Sequence, residues 1–377
     1  MSADMDSASP PAIFTRWNER LFCILKSAKE QQPDRHKAAG DRRGSMLQRF
    51  PMTIPFGWFF VSYSDELAIG AVRPIHYFGR DLVLFRGESG AVGLLDAYCP
   101  HLGAHMGHGG TVEGDCLRCP FHHWAYRPDG FCADIPYARL MPPITRREPI
   151  ARPYPVVEKN GVVWAWYHPD RIAPTFDVIE HAPFTDTGWS PPVRRFWSFA
   201  SNPQEIAENG VDFAHFEYVH RMEAVPEGKT TYDGHIRRSS AHGERVAVLP
   251  DGTTRIIPSS VNTIQNGAGQ KFTQLQGVVT LSLMVLATPV EADQVELRFC
   301  FTFPETDEGS PEHRAALMAI EYTCGQTGVE GDIPIWHHKI HRAQPLLCDG
   351  DGPILRFRHY FQQFYAGEDA PQQMAAG

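Results

Sequence analysis

Two short turns, each with one cysteine and one histidine, constrain this 377-residue chain more than any other feature. Cys99 and His101 flank a proline, and after seventeen residues Cys119 and His122 flank a proline and a phenylalanine. Each turn can hold a metal from one side. The pair therefore predicts a bound metal group enclosed between two loops of one small domain.

The ligand types in these turns indicate an iron–sulfur cluster. Thiolates are soft ligands suited to iron–sulfur chemistry, and two imidazoles on one iron raise the reduction potential because they leave that iron with less negative charge. Trp124 and Phe121 can shield such a group from water. A zinc site that uses Cys116, Cys119 and two further ligands is the alternative, because Cys-x-x-Cys is a common zinc spacing.

A second group of polar side chains lies within residues 209–220: Asn209, Asp212, His215 and His220. Asp212 and His215 are three residues apart, so on a helix they share a face and can hydrogen-bond. His215 and His220 would point about 140° apart on a regular helix, so both reach one ion only if the helix ends or bulges between them. Two polar residues on an ordinary amphipathic helix are the alternative interpretation.

Composition excludes several classes of function. The net charge is −9, so the chain lacks the basic field that gathers nucleic acid. The longest apolar run near the start, residues 54–61, is far shorter than the roughly 20 residues that span a bilayer, and residues 1–12 do not resemble a secretory signal. We therefore expect no membrane span and a cytoplasmic location. The eight cysteines do not resemble a disulfide framework, and in a reducing compartment clustered cysteines more often bind metals.

The residue pattern changes along the chain. Residues 1–50 predict a weakly structured extension, and residues 56–166 carry short β-branched and aromatic runs separated by turns. Proline-rich connections follow, and beyond them we predict a strand at 193–200, a helix at 204–216 and a hairpin formed by 278–290 and 294–303. Two late helices are predicted at 312–321 and 334–347.

The two turns resemble those of Rieske iron–sulfur domains, and the resemblance covers residues 56–166. The tail resembles that of bacterial 3-ketosteroid 9α-hydroxylase oxygenases and cholesterol 7-desaturases at residues 335–339, 345–347, 351–354 and 363–365. The chain is thus similar to the oxygenase component of a Rieske non-haem iron oxygenase. This implies an α+β fold with an extension at 1–50, an all-β Rieske domain at 51–168 and a catalytic domain at 169–377. The catalytic domain is expected to be of the helix-grip, START-like type, in which an antiparallel sheet wraps a long helix.

The resemblance also implies two metal centres. Cys99, His101, Cys119 and His122 would hold a 2Fe-2S cluster. His215 and His220 would hold a mononuclear Fe(II), and the segment 330–336 looks like the late ligand segment of the family, which makes Asp332 the third ligand. Two histidines and one carboxylate leave positions open for O₂. The alternative for Asp332 is a helix cap before Pro334.

The family pattern gives roles to two further residues. Asp212 would link the two centres, because its carboxylate can hydrogen-bond to a histidine of each. In the family the cluster histidine belongs to the neighbouring subunit, which implies a head-to-tail homotrimer in which His122 of one chain approaches Asp212 of the next. Asn209 would lie near the iron and orient water or the aspartate.

The implied activity is that of a terminal monooxygenase that uses O₂ and electrons from NAD(P)H. A separate flavin reductase, with or without a ferredoxin, would supply the electrons. The substrate would be a steroid or sterol that is hydroxylated or desaturated. Alternatives are an arene dioxygenase, an O- or N-demethylase, a sterol methyl oxidase, a non-catalytic 2Fe-2S electron carrier and a zinc-binding interaction protein.

Overall fold

The computed structural model describes residues 49–248 and 252–367. The extension predicted at 1–50 therefore lies outside the described residues except for its last two. The strands, β1 to β17 in chain order, are Gly57–Tyr63, Val72–Tyr77, Arg80–Arg86, Val92–Asp96, Thr111–Glu113, Cys116–Arg118, Ala125–Tyr126, Cys132–Asp134, Val156–Lys159, Val162–Tyr167, Val193–Phe199, Glu227–Asp233, Ile236–Val248, Thr254–Asn266, Gln270–Gln276, Thr280–Glu291 and Gln294–Thr302. The helices, α1 to α6, are Ile144–Arg147, Pro203–Glu208, His215–Tyr218, Pro311–Cys324, Val329–His338 and Ile354–Gln362.

Three small antiparallel sheets form the part of the fold before residue 168. Their strand orders are β1-β10-β9, β2-β3-β4 and β5-β6-β7-β8. The four residues at the centre of β3, Leu82 to Phe85, are fully buried, as expected for a strand covered on both faces. The four-stranded sheet is built from strands of two or three residues, and its loops carry the two cysteine–histidine turns.

A seven-stranded antiparallel sheet forms the second part, in the order β11-β17-β16-β15-β14-β13-β12. The hairpin predicted at 278–290 and 294–303 is present as β16 and β17. Helix α4 crosses one face of this sheet and packs Ala316 and Ile320 against a core that includes Leu283, Val285 and Phe299. The α+β prediction of an all-β region followed by a sheet wrapped on a helix is confirmed.

The helix predicted at 204–216 is broken in two. Asn202 caps α2 by accepting a hydrogen bond from the backbone amide of Gln204 at 3.0 Å. The helix then ends at Glu208, and the chain turns again into α3, a single turn that begins at His215. A β-carbon at Gly210 in the intervening loop would lie 2.6 Å from Nη2 of Arg237, so a larger residue there would have to displace the end of that side chain.

The helix predicted at 334–347 is wrong in its position. Helix α5 covers Val329–His338, and residues 339–353 have no regular helix or strand. Pro334 lies inside α5, where it cannot donate the helical backbone hydrogen bond that another residue would supply. Beyond α5, Lys339 forms an ion pair with Glu205 at 2.6 Å and His341 forms a hydrogen bond with Glu205 at 2.7 Å, and these tertiary contacts hold the segment in place.

The C-terminal helix α6 joins the two parts of the molecule. Its Phe357 and Phe361 are fully buried in one core with Phe59 and Leu82 of the first part. The carbonyl of Phe364 also accepts a hydrogen bond from the amide of Phe56 at 2.7 Å. Within the two described ranges, no helix combines the length and the apolarity that a bilayer crossing requires.

Candidate metal centres

The first centre, here called the cysteine–histidine site, comprises Cys99, His101, Cys119 and His122. The imidazole rings of His101 and His122 lie 4.7 Å apart between their centroids, and both thiols are buried. The indole of Trp124 stacks on His101 with centroids 4.6 Å apart, so it covers the site from inside. The structure therefore brings together all four residues predicted from the two turns.

Both turns of this site are closed by backbone hydrogen bonds. In the first turn, the amide of Cys99 donates to the carbonyl of Ala104 at 2.8 Å, and Gly103 has a φ of +76°, which favours glycine. In the second, the amide of Cys119 donates to the carbonyl of Trp124 at 2.9 Å. Phe121, predicted to shield the site, has its ring 3.8 Å from that of His122 but is 59% exposed, so it lies on the outer face.

The chemistry of these donors fits a 2Fe-2S cluster. The Nδ1 atom of His122 is buried and has no hydrogen-bond partner among the described residues. A buried imidazole nitrogen without a partner is costly unless a metal ligates it. Burial also raises the pKa of the Cys99 thiol, so its thiolate needs a metal for stability. The hydroxyl of Tyr126 lies 3.1 Å from Sγ of Cys99, where it can donate to a ligating sulfur.

The second centre, here called the histidine–aspartate site, comprises His215, His220 and Asp332. One potential ligand atom from each side chain lies within 4.8 Å of the others. Helix α3 ends at Tyr218, so His220 leaves the helical path and its ring turns toward that of His215, with centroids 4.8 Å apart. This is the helix end that the five-residue spacing requires. Asp332 lies inside α5 with Oδ2 3.4 Å from Nε2 of His220, so the helix-cap interpretation of Asp332 is wrong.

Hydrogen bonds fix which imidazole nitrogens face the centre. Nδ1 of His215 contacts the main-chain carbonyl of Asp212, and Nδ1 of His220 lies 3.2 Å from the carbonyl of Thr327. A nitrogen that contacts a carbonyl must carry the proton, so each Nε2 is left with a free lone pair. Both rings are thereby held neutral, in the tautomer that can ligate a metal through Nε2.

Burial sets the protonation of this site. It lowers the pKa of His215 to about 4, and burial together with the neighbouring His215 lowers that of His220 to about 4. Burial also raises the pKa of Asp332 to about 7, although the charge of Lys271 opposes the rise. Two neutral imidazoles and a buried carboxyl group form a donor set that fits a divalent iron with open positions.

Asn209 and Asp212 both lie beside this site, but their contacts differ. The side chain of Asn209 lies beside Asp332 and lowers the pKa of its carboxyl group, and it accepts a hydrogen bond from the indole of Trp336 at 3.2 Å. The carboxylate of Asp212 accepts from the backbone amide of His215 at 3.4 Å. The predicted hydrogen bond between Asp212 and His215 is therefore present, and the His215 ring contacts the Asp212 main-chain carbonyl.

A network of buried charges holds α2 behind the histidine–aspartate site. The carboxylate of Glu205 is fully buried and pairs with Lys339 and His341, and Glu208 forms two hydrogen bonds with Arg358 of α6 at 2.6 and 3.0 Å. Burial alone would raise the pKa of Glu205, but His341 and Lys339 outweigh it and lower the pKa to about 2. The network ties α2 to the residues that follow α5 and to α6.

A cavity opens directly on the histidine–aspartate site. It contains about 1000 Å³ of space when the part open to solvent is counted. The sheet lines it with side chains from four adjacent strands: Ser259, Val261, Thr263, Lys271, Thr273, Leu275, Leu283, Val285, Leu297 and Phe299. Most of this lining is apolar, so the site suits a largely apolar molecule.

Sequence reasoning missed one residue beside the cysteine–histidine site, Tyr126, and two that line the cavity, Lys271 and Arg245. Lys271, Thr273 and Leu275 alternate along β15, so the period of two places Lys271 on the same face as pocket-lining residues. That signal was available in the sequence. Nothing in the sequence indicates that the Tyr126 hydroxyl reaches Cys99 across 27 residues.

Comparison with known families gives the same two-part division. Residues 57–145 match the Rieske [2Fe-2S] domain, and residues 165–365 match the 3-ketosteroid 9α-hydroxylase C-terminal domain. This chain belongs to the Rieske oxygenases. The Rieske match excludes the zinc interpretation and, with the donor sets described above, supports an iron–sulfur cluster and a non-haem iron in this oxygenase.

Curated relatives of this Rieske oxygenase are steroid and sterol enzymes by name. A probable 3-ketosteroid-9-alpha-monooxygenase oxygenase component of Rhodococcus rhodochrous is 32% identical over 84% of this chain and 82% of its own length. The cholesterol 7-desaturase of Bombyx mori is 28% identical over 89% of this chain and 75% of its own. The prediction of a resemblance to these two groups is confirmed, and the chain is an oxygenase with monooxygenase relatives.

Solved structures share the fold of this Rieske oxygenase at low identity. Dicamba monooxygenase bound to dicamba superposes with a TM-score of 0.64 at 17% identity, covering 83% of this chain and 98% of that one. Pseudomonas putida CBB5 NdmA with caffeine gives a TM-score of 0.64 at 17% identity, covering 84% and 90%. At this identity the likeness concerns the fold alone.

Proposed function

We propose that this Rieske oxygenase hydroxylates or desaturates a steroid or sterol-like substrate. The observation that carries the proposal is the apolar cavity that opens directly on His215, His220 and Asp332. The names of the curated relatives support the substrate class. O₂ is the expected co-substrate, and a separate reductase, with or without a ferredoxin, passes electrons from NAD(P)H.

The two metal groups divide the chemistry, since a cluster stores single electrons while a three-ligand iron offers open positions to O₂. We assign the cluster to Cys99, His101, Cys119 and His122, and the iron to His215, His220 and Asp332. The chain's own part is positioning. Two backbone carbonyls hold the imidazole tautomers, Asn209 orients Asp332, and the apolar sheet face keeps bulk water from the substrate.

We further propose a closed homotrimer in which His122 of one chain approaches Asp212 of the next. Large apolar side chains stand exposed around the cysteine–histidine site: Leu102 at 64%, Phe121 at 59%, Tyr137 at 59% and Leu140 at 87%. An apolar rim of this kind suits burial against a neighbouring subunit. Sedimentation analysis of the metallated protein should give a trimer, and a stable monomer would contradict the arrangement.

Turnover by the reconstituted system tests the substrate class. The metallated protein is supplied with NADH and a surrogate reductase, and incubated separately with a 3-ketosteroid, a sterol, dicamba and caffeine. We expect oxidised products from the steroid or sterol alone, identified by mass spectrometry. Turnover of an aromatic compound without any steroid product would favour an arene dioxygenase or a demethylase instead.

Iron content separates the oxygenase from a non-catalytic electron carrier. An oxygenase with both centres holds about three irons per chain, whereas a carrier with the cluster alone holds about two. A metallated sample that never exceeds two irons per chain, or that lacks a mononuclear ferrous signal, would contradict the proposed iron at His215, His220 and Asp332.

A further inference from the structure

The cavity beside the histidine–aspartate site is lined by a cation, Arg245, that no acidic side chain of the described residues neutralises. Arg245 of β13 is partly buried and lines this cavity. Across residues 49–248 and 252–367, no side chain forms a hydrogen bond or an ion pair with its guanidinium. Its one described partner is the ring of Tyr322, whose centroid lies 5.2 Å from Cζ. Stacking on an aromatic face holds the guanidinium in place but leaves its donors free.

The surroundings of Arg245 do not compensate its charge. The other residues that line the cavity include Met222, Ser259 and Leu275, which are uncharged. Among the described residues that line the cavity, the one carboxyl group is that of Asp332, which belongs to the metal-ligand set. Removing an unpaired charge from water is unfavourable, so an anionic group that enters this cavity and pairs with the guanidinium gains binding energy.

The sheet register separates Arg245 from the other cation of the cavity. Lys271 is paired with Gln265, and Gln265 with Arg237, so these three residues share one row of the sheet. Arg245 lies eight residues further along the same strand as Arg237, which corresponds to up to roughly 26 Å of strand length. Lys271 is the cation close enough to Asp332 to lower its pKa. Arg245 therefore contacts a different part of a bound molecule.

We propose that the substrate is a steroid acid, an apolar ring skeleton whose carboxylate is bound by Arg245. Arg245 would then determine substrate specificity, although it belongs to neither metal-ligand set. A planar guanidinium with free donors matches a carboxylate in a bidentate geometry. The inference rests on the proposed function only for the ring skeleton, because the anion-binding role follows from the cavity itself.

Binding of matched ligand pairs tests the inference without turnover. A steroid carboxylic acid and its methyl ester are titrated calorimetrically into the metallated protein, as are an aromatic acid and its methyl ester. We expect the steroid acid to bind about tenfold or more tightly than its ester, since hydrogen bonds to charged groups contribute roughly 1.5–3 kcal/mol. Arg245→Gln should weaken binding of the acid by about ten- to a hundredfold and leave the affinity for the ester unchanged.

Arg238→Gln is the matched control, because Arg238 lies on the same strand but on the opposite, exposed face. It should leave both affinities unchanged. Arg245→Lys keeps the charge without the bidentate fork, so it should retain part of the acid preference and serves if the glutamine variant does not fold.

Equal affinities for acid and ester in the unchanged protein overturn the inference, as does an Arg245→Gln variant that weakens both to the same extent. A different outcome concerns the proposed function alone. If Arg245 discriminates the aromatic acid from its ester while no steroid binds, the anion-binding role stands and the steroid class fails.

Discussion

The two metal-ligand sets differ in how far apart their residues lie along the chain. The cysteine–histidine site takes all its ligands from residues 99–122, on turns closed by local backbone hydrogen bonds. The histidine–aspartate site joins His215 and His220 to Asp332, more than a hundred residues later. Its geometry depends on α2, α3 and α5 being held together. A local site can be formed by its turns, whereas the distant one requires the finished tertiary structure.

The supports of the two sites differ in the same way. Arg118 beside the first site pairs with Glu113 and Asp134, whose side chains are 69% and 48% exposed. The second site is supported by Glu205, whose fully buried carboxylate contacts Lys339 and His341. Exposed pairs contribute little to stability, whereas breaking a buried pair is costly. We therefore expect the second site to depend more on its surroundings than the first.

Removing one ligand from each site gives the largest expected effects. His215→Ala should lower the iron content by about one per chain and reduce turnover by roughly a thousandfold or more, with the visible spectrum of the cluster unchanged. Cys119→Ala should abolish that spectrum and leave about one iron. Iron analysis with absorption spectroscopy measures both. A variant that loses all three irons would indicate that the two sites do not form separately.

Asn209→Ala should have the next largest effect, because the side chain that orients Asp332 is lost. Partners that orient metal ligands are typically worth 10- to 100-fold in metal affinity or activity, and we expect a loss of that size in Fe(II) affinity. Trp336→Phe removes only the indole donor to Asn209 and should cost less. Equal losses in the two variants would assign the effect to packing instead of to the amide.

Glu205→Gln should lower the free energy of unfolding by about 3 kcal/mol at pH 7, because it leaves Lys339 and His341 without their carboxylate. The matched change at the exposed pair, Asp134→Asn, should cost less than about 1 kcal/mol. Urea denaturation followed by circular dichroism measures both. Similar losses in the two variants would remove the contrast between buried and exposed support.

The lowered pKa of Glu205 determines how the stability of the protein depends on pH. Burial alone would raise that pKa, but the hydrogen bond from His341 and the charge of Lys339 lower it from 4.5 to about 2 in the folded chain. The stabilising contribution is therefore complete above about pH 4.5 and is lost as the pH falls toward 2. The stability difference between the unchanged protein and Glu205→Gln should shrink over that interval, and a constant difference would contradict the ion-pair origin.

Tyr126→Phe should have the smallest effect. It removes the hydroxyl that lies 3.1 Å from Sγ of Cys99, and hydrogen bonds to ligating sulfur stabilise the reduced, more negative cluster. One hydrogen bond of about 1 kcal/mol corresponds to a fall of roughly 40 mV for a one-electron couple. A redox titration measures the shift, and iron content should stay the same. A rise in potential would contradict the assigned donor.

Much of the first part of the fold and its site could be predicted from the sequence, because the signals are local. The two turns carry their ligands and their glycines within 24 residues, and the alternating runs predict short strands. The hairpin of β16 and β17 was predicted for the same reason. The helices at 204–216 and 334–347 were misjudged, because Gly210 and the ion pairs of Glu205 act through distant residues.

By itself, the sequence determined which ligand types the chain offers and that His215 and His220 need a break in their helix to share an ion. Tertiary structure decided that Asp332 lies beside the two histidines and that Asn209 lowers the pKa of Asp332. It also decided that the His215 ring contacts the main-chain carbonyl of Asp212, whereas the His215 backbone amide contacts the Asp212 carboxylate. It also decided that Arg245 faces the cavity with no ion-pair partner among the described residues. The physical reason is that spacing fixes only local geometry, whereas burial and charge pairing are set by side chains that meet only when the sheet closes on its helices.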